Sequence, residues 1–161
     1  MSNIRLAKTT DIDRMAEIEA LCFPPAEAAS LASFKERFAV FPECFYVLEV
    51  DGQVVAHING CINDTPTLPD ALYSDPQLHK ANGQYQTVFG LAVAPDFQRR
   101  GFAGLLLDHF AQHSQSRGHK GMVLTCKAHL TALYEQHQFV KQGISASSHG
   151  GAQWLDMVRT F

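Results

Sequence analysis

A chain of 161 residues and 17.8 kDa has the size of one compact domain, and its 46% hydrophobic and 18% charged residues exclude long disorder. A formal net charge of -3 leaves no broad cationic surface to neutralise a nucleic-acid backbone, so nucleic acid is not an expected partner. Arg5 and Lys8 are followed by Asp11 and Asp13 instead of an apolar run, and no stretch is long and apolar enough to span a bilayer. The expectation is a soluble, cytoplasmic, single-domain protein without a membrane partner, monomeric or homodimeric.

In chain order, Asn3 to Lys8 reads as a first strand, and Thr10 as the N-cap of a helix carrying Ile12, Met15, Ile18 and Cys22 on one face. Pro24 and Pro25 stop that helix. Ser30 caps a second one, with Leu31, Phe34 and Phe38 on its apolar face, and Pro42 ends it. Two helices are therefore joined by a proline-rich elbow. Phe45 to Val50 and Val54 to Ile62 are β-branched and aromatic runs around Asp51-Gly52, a hairpin signal. The polar segment from Asn63 to Gly83 holds Pro66, Pro69 and Pro76 and predicts a long loop with a helical turn near Leu78.

Tyr85 to Ala94 is a further strand in which Gly90 marks a bulge or a close backbone approach. Ala103, Leu106, Leu107 and Phe110 follow helical spacing up to Gly118. Met122 to Cys126 is a strand, Leu130 to His137 a helix, and Phe139 to Gln142 and Trp154 to Val158 are closing strands. This order predicts an α/β (α+β) fold, a mixed, mostly antiparallel central sheet with helices on both faces.

The segment Gln98-Arg99-Arg100-Gly101-Phe102-Ala103-Gly104 lies between a strand and an apolar helix. A glycine-rich turn entering a helix offers backbone N–H groups at the positive end of the helix dipole, a ready phosphate site. Gly101 and Gly104 allow close approach, and Arg99 and Arg100 add charge. Together with Leu91-Ala92-Val93 in the preceding strand, the segment resembles the acetyl-coenzyme A signature of the GCN5-related N-acetyltransferase (GNAT) superfamily. Its pattern of Gln or Arg, two residues, Gly, one residue, Gly or Ala is met by Gln98, Gly101 and Ala103. The resemblance implies that amides from about Arg99 to Gly104 hold the pyrophosphate of acetyl-coenzyme A and that Leu91 and Val93 pair with its pantetheine arm.

Leu124 to Glu135, Ser148-His149-Gly150 and Trp154 to Met157 are similar to the arylalkylamine (serotonin-type) branch of the superfamily, and Cys22 to Ser30 is similar to the amine-side loop of its non-vertebrate members. Where the vertebrate members carry two strand histidines, this chain has Thr87 and Phe89.

Acetyl transfer needs a neutral amine, yet an alkylammonium has a pKa of about 10.4, so a base must take a proton and an acid must protonate the departing thiolate. The resemblance implies Tyr134 as the acid. Without it, Tyr134 reads as a core residue on the face of Leu130, Leu133 and His137. Glu27 in the elbow is the expected base, with His57 or a water chain as alternatives and a solvated glutamate as the plain reading. His109 and His113 lack a third ligand or an HExxH pattern, so no metal is expected. Cys22, Cys44, Cys61 and Cys126 are far apart and expected to be free thiols, with Cys126 packed in its strand. The expected function is acetylation of a small primary amine, an arylalkylamine or a polyamine. A protein amino terminus or lysine as acceptor, and a non-catalytic acetyl-coenzyme A-binding module, are the alternatives.

Overall fold

The structure, a computed structural model, describes residues 1–161. The first strand, β1 (Ser2–Leu6), leads into helix α1 (Ile12–Cys22). Thr10 does not cap it. The Asp11 carboxylate instead accepts the Lys8 amide at 2.7 Å and Arg5 Nη1 at 2.7 Å, which winds Thr9–Asp11 into a 3-10 turn and starts the α-helix at Ile12. Helix α2 (Leu31–Val40) begins as expected, with Ser30 Oγ accepting the Ser33 amide at 3.1 Å.

Strands β2 (Phe45–Val50) and β3 (Gln53–Asn59) form the hairpin, and Asp51 (φ 50°) and Gly52 (φ 82°) both adopt the left-handed backbone that a tight primed turn requires. The chain continues through β4 (Ile62–Asn63) and the short helix α3 (Ala71–Ser74) within the long loop, then β5 (Tyr85–Val88), β6 (Gly90–Val93), α4 (Phe102–Ser116), β7 (Gly121–Cys126), α5 (Thr131–Gln136), β8 (Val140–Ile144) and β9 (Leu155–Thr160).

The expected central sheet is divided in two. One sheet has the order β1-β2-β3-β6 and the other β4-β5-β7-β9-β8, with β5 and β7 the parallel pair in an otherwise antiparallel arrangement. The run from Tyr85 to Ala94 changes partners at Phe89. Before it the chain pairs with β7, and after it with β3. Phe89 and Ala94 donate to Asn59 O at 2.7 Å and Val55 O at 2.7 Å, so the chain bends at Phe89 and continues as β6 from Gly90. Beyond Phe89, β6 and β7 separate and leave a gap between the sheets.

Helices cover both faces of the first sheet. Tyr46, opposite Ile58 in the ladder, turns its ring to Phe110 of α4 at 6.0 Å, while His57, one position along, packs edge-on against Phe34 of α2 at 5.5 Å. Phe34, Phe41, Phe45, Phe110, Leu106 and Leu107 are fully buried and anchor the core that holds these layers.

Candidate functional site

The groove beside β6 is built by strand polarity. Ala94 bonds to Val55, so the hydrogen-bonding residues of β6 alternate, and Leu91 and Val93 point their backbone groups to the unpaired edge. Val93 O already accepts from Gln98 Nε2 at 3.0 Å and Cys22 Sγ at 3.1 Å. Gln98 thereby fixes the turn that follows.

Arg99 (φ 63°) and Gly101 (φ 82°) are both left-handed, with Gly101 standing at the N-cap of α4. None of the amides from Arg99 to Gly104 donates to a protein acceptor, and they converge on the start of a 15-residue helix. This geometry suits an anion with several oxygens, such as a pyrophosphate. A groove of about 860 Å³ runs past Leu91, Ala92, Val93, Gln98, Arg99, Gly101, Phe102, Ala103 and Gly104. Of the cofactor residues expected from sequence, Arg100 alone does not line it. Its guanidinium folds back to Asp96 O at 3.2 Å and over the Phe97 ring at 5.0 Å. Gly104 is needed for packing, because a Cβ there would lie 2.7 Å from His137 Nε2, and that ring is held by Asp108 at 2.9 Å.

A second cavity of about 440 Å³ occupies the gap between β6 and β7. The elbow after α1 and the loop before β9 close it. His149 Nε2 donates to Glu27 O at 2.9 Å, Gly150 packs on the Glu27 side chain, Trp154 Nε1 donates to His149 O at 2.9 Å, and Ser147 and Ser148 donate to Asp70. Phe23, Tyr73, Phe89 and Trp154 make the walls aromatic. The two spaces share Phe23, Glu27, Leu91, Leu130, Tyr134 and Trp154 and so lie side by side.

Tyr134 therefore stands at the junction, on α5, with its ring edge-on to Phe139 at 5.9 Å. Burial, more than the neighbouring Cys126 and Tyr73, pushes its phenol well above the usual value, so it remains a proton donor at neutral pH. Glu27 stands there too. Lys127 Nζ binds its Oε2 at 2.9 Å, its Oε1 has no partner, and its side chain is only 8% exposed.

Two charged groups in the cavity wall were not singled out in the sequence. Glu19 and Arg37 are each 5% exposed. Glu19 Oε2 accepts the Ala29 amide at 3.0 Å, while Oε1 lies 3.4 Å from His57 Nε2 and would be 3.1 Å from a Cβ at Gly90. Arg37 donates to Tyr73 O at 3.0 Å and Asn59 Oδ1 at 3.5 Å and stacks over Phe89 at 4.6 Å. The signal that marks both is a charge at a core-face helical position, Glu19 among Met15 and Ile18, and Arg37 beside Phe34.

His57 is fully buried behind Glu19 and does not reach the cavity. His109 and His113 pack their rings on Tyr46 at 4.7 and 5.4 Å. Cys126 contacts Met157 Sδ at 3.4 Å, and burial pushes its thiol up to about 11, which suits packing and not nucleophilic attack.

An amide-lined anion turn, a splayed strand edge and an adjoining enclosed cavity are the parts of an acyl-coenzyme A-dependent transferase. Residues 12–139 match the model of the Acetyltransferase (GNAT) family, and the chain belongs to that family. It is similar to the [ribosomal protein bS18]-alanine N-acetyltransferase of Salmonella typhimurium, 37% identical over 70 residues, or 42% of this chain and 47% of that protein. The match thus spans just under half the length of that curated relative, which is not an arylalkylamine enzyme. In fold, the chain is similar to the loading GNATL domain of CurA from Lyngbya majuscula (TM-score 0.85, 16% identity, 99% of this chain and 98% of that one). It is also similar to the GNAT-like decarboxylase GphF in complex with isobutyryl-CoA (TM-score 0.83, 21% identity, 98% of each). No helix is long and apolar enough to cross a membrane.

Proposed function

We propose that this chain is an acetyl-coenzyme A-dependent N-acetyltransferase acting on a small primary amine. The observation that carries this reading is the meeting of the anion-binding groove and the enclosed aromatic cavity at Tyr134 and Glu27. The amides of Arg99 to Gly104 receive the pyrophosphate, and the free edge of β6 at Leu91 and Val93 receives the amide groups of the pantetheine arm. Glu27 takes a proton from the bound ammonium. The neutral nitrogen attacks the thioester carbonyl, a C–N bond forms as the C–S bond breaks, and Tyr134 gives its proton to the departing sulfur. Solvent exchange restores both side chains. Direct transfer needs no covalent intermediate on the protein, in keeping with the packed state of Cys126.

The aromatic walls favour an arylalkylamine over a polyamine. The activity of the Salmonella relative favours a second reading, a protein amino terminus as acceptor. Against it stands the narrowing of the cavity by the elbow and the His149 loop, which suits a small acceptor. Coenzyme A release, measured with phenethylamine, tryptamine, spermidine and short peptides, decides among them. Turnover on small amines alone supports the proposal, and turnover confined to peptides replaces it with the second reading. Acetyl-coenzyme A binding with no turnover on any amine reduces the chain to a binding module.

A further inference from the structure

The acceptor cavity contains a buried cation with no counter-ion in bonding distance. Arg37 lines the cavity and is 5% exposed, yet no carboxylate lies within 4.0 Å of its guanidinium. A guanidinium has five N–H donors. The protein engages it through two bonds, one of them stretched to 3.5 Å, and leaves Nε without a partner. Burial pulls the guanidinium down, with the charge of Glu19 opposing. Glu19 and Glu27 line the same cavity and each keeps an unpartnered Oε1, but neither closes onto Arg37. Glu27 is already paired with Lys127, but Glu19 and Arg37 are opposite buried charges that share the cavity without closing on each other, which is unfavourable unless a guest completes them.

We propose that this cavity is built for a carboxylate, with Arg37 as its partner, and that the carboxylate is carried by the acceptor amine. The acceptor is then a zwitterion, its ammonium toward Glu19 and Glu27 and its carboxylate against Arg37. With Phe23, Tyr73, Phe89 and Trp154 around it, an aromatic amino acid has the matching chemistry. This inference rests on the acetyl-transfer reading for its choice of acceptor, but the carboxylate site itself is testable by binding alone. A carboxylate on the acyl chain of a malonyl-type thioester is the other source that Arg37 would recognise.

The test begins with the unmodified protein, so it does not depend on any variant folding. The protein loaded with coenzyme A is titrated calorimetrically with pairs that differ only in the carboxylate, phenylalanine against phenethylamine and tryptophan against tryptamine. Malonyl-coenzyme A is compared with acetyl-coenzyme A in parallel. The amino acids should bind about 10- to 100-fold more tightly than the amines, the range of a hydrogen bond to a charged group. Arg37→Met should abolish that preference, and Arg37→Lys should restore part of it. Equal or tighter binding of the decarboxylated amines, with no preference for malonyl-coenzyme A, overturns the carboxylate site. An Arg37-dependent preference confined to malonyl-coenzyme A keeps the site and overturns the acceptor as its source. Coenzyme A release from acetyl-coenzyme A separates the two readings: turnover without a carboxylate preference sinks only this inference, and preference without turnover sinks only acetyl transfer.

Discussion

Lys127 Nζ stands 2.9 Å from Glu27 Oε2, and this ion pair joins the elbow after α1 to the end of β7. Glu27 can therefore serve the site in two ways, as the proton acceptor through its other oxygen or as half of a clamp. Glu27→Gln keeps the shape and removes the basicity, whereas Lys127→Met opens the clamp and leaves the carboxylate. If Glu27 is the base, its variant loses about 10²- to 10⁴-fold in kcat, while the lysine variant loses far less. Equal losses in both, read from steady-state kinetics, would reduce Glu27 to a latch.

Replacing Tyr134 by Phe keeps the ring against Phe139 and removes the hydroxyl. The expected result is a fall in kcat of about 10²- to 10⁴-fold with unchanged acetyl-coenzyme A affinity. A purely structural tyrosine would instead lose about 1 kcal/mol of stability at most and keep its turnover. Thermal unfolding and kinetics on one preparation distinguish the two.

Gly101→Val tests the anion turn. No atom lies within 4 Å of a Cβ built there, so the side chain has room. The obstacle is the backbone, because φ 82° is left-handed and disfavours a substituted residue by about 1–2 kcal/mol. The turn should shift to a right-handed conformation and scatter the amides of Arg99 to Gly104. Loss of acetyl-coenzyme A binding by calorimetry with an unchanged circular dichroism spectrum is expected, and retained affinity would refute the phosphate assignment.

Asp11 gives a prediction about pH. Its carboxyl is held below the usual carboxylate range, chiefly by the hydrogen bond from Arg5 and further by the Lys8 amide, against the opposing effect of burial. A depressed folded-state value stabilises the protein above the ordinary carboxylate pKa, and that stabilisation is lost as pH falls through the folded-state value. Asp11→Asn should lower stability by about 2 kcal/mol at neutral pH, as expected for a hydrogen bond to a charged group. Its denaturation midpoint should approach that of the parent as pH falls below the ordinary carboxylate range. A constant gap across the pH range would contradict the linkage.

The parts of the site that follow backbone rules were legible in the sequence. The turn before α4, the Ser30 cap and the Asp51-Gly52 hairpin depend on local conformation, which residue type largely dictates. Gly90 signals a bulge or a close backbone approach, but the exchange of one sheet for another at this point depends on tertiary pairing with β3 and β7 and has no local signature. Glu19 and Arg37 were hidden for a related reason. Helical periodicity marks apolar faces, and the purpose of a charged residue within such a face is visible only in the assembled cavity. Arg100 is the reverse case, a cation beside the glycine turn that the fold sends to Phe97.

The change of sheet at Phe89 also separates the two recognition tasks along the chain. The part of the proposed coenzyme groove that offers hydrogen-bond donors lies within one stretch, Leu91 to Gly104, and those donors are main-chain amides, indifferent to most side-chain substitutions. The proposed acceptor cavity is assembled from several separate stretches: α1 with the elbow and α2, then α3, the run from Val88 to Leu91, β7, α5 and the loop before β9. Substitutions that redraw the cavity leave the amide turn untouched, so such a scaffold can exchange one acceptor for another by a few side-chain replacements while its hold on the acyl donor stays constant.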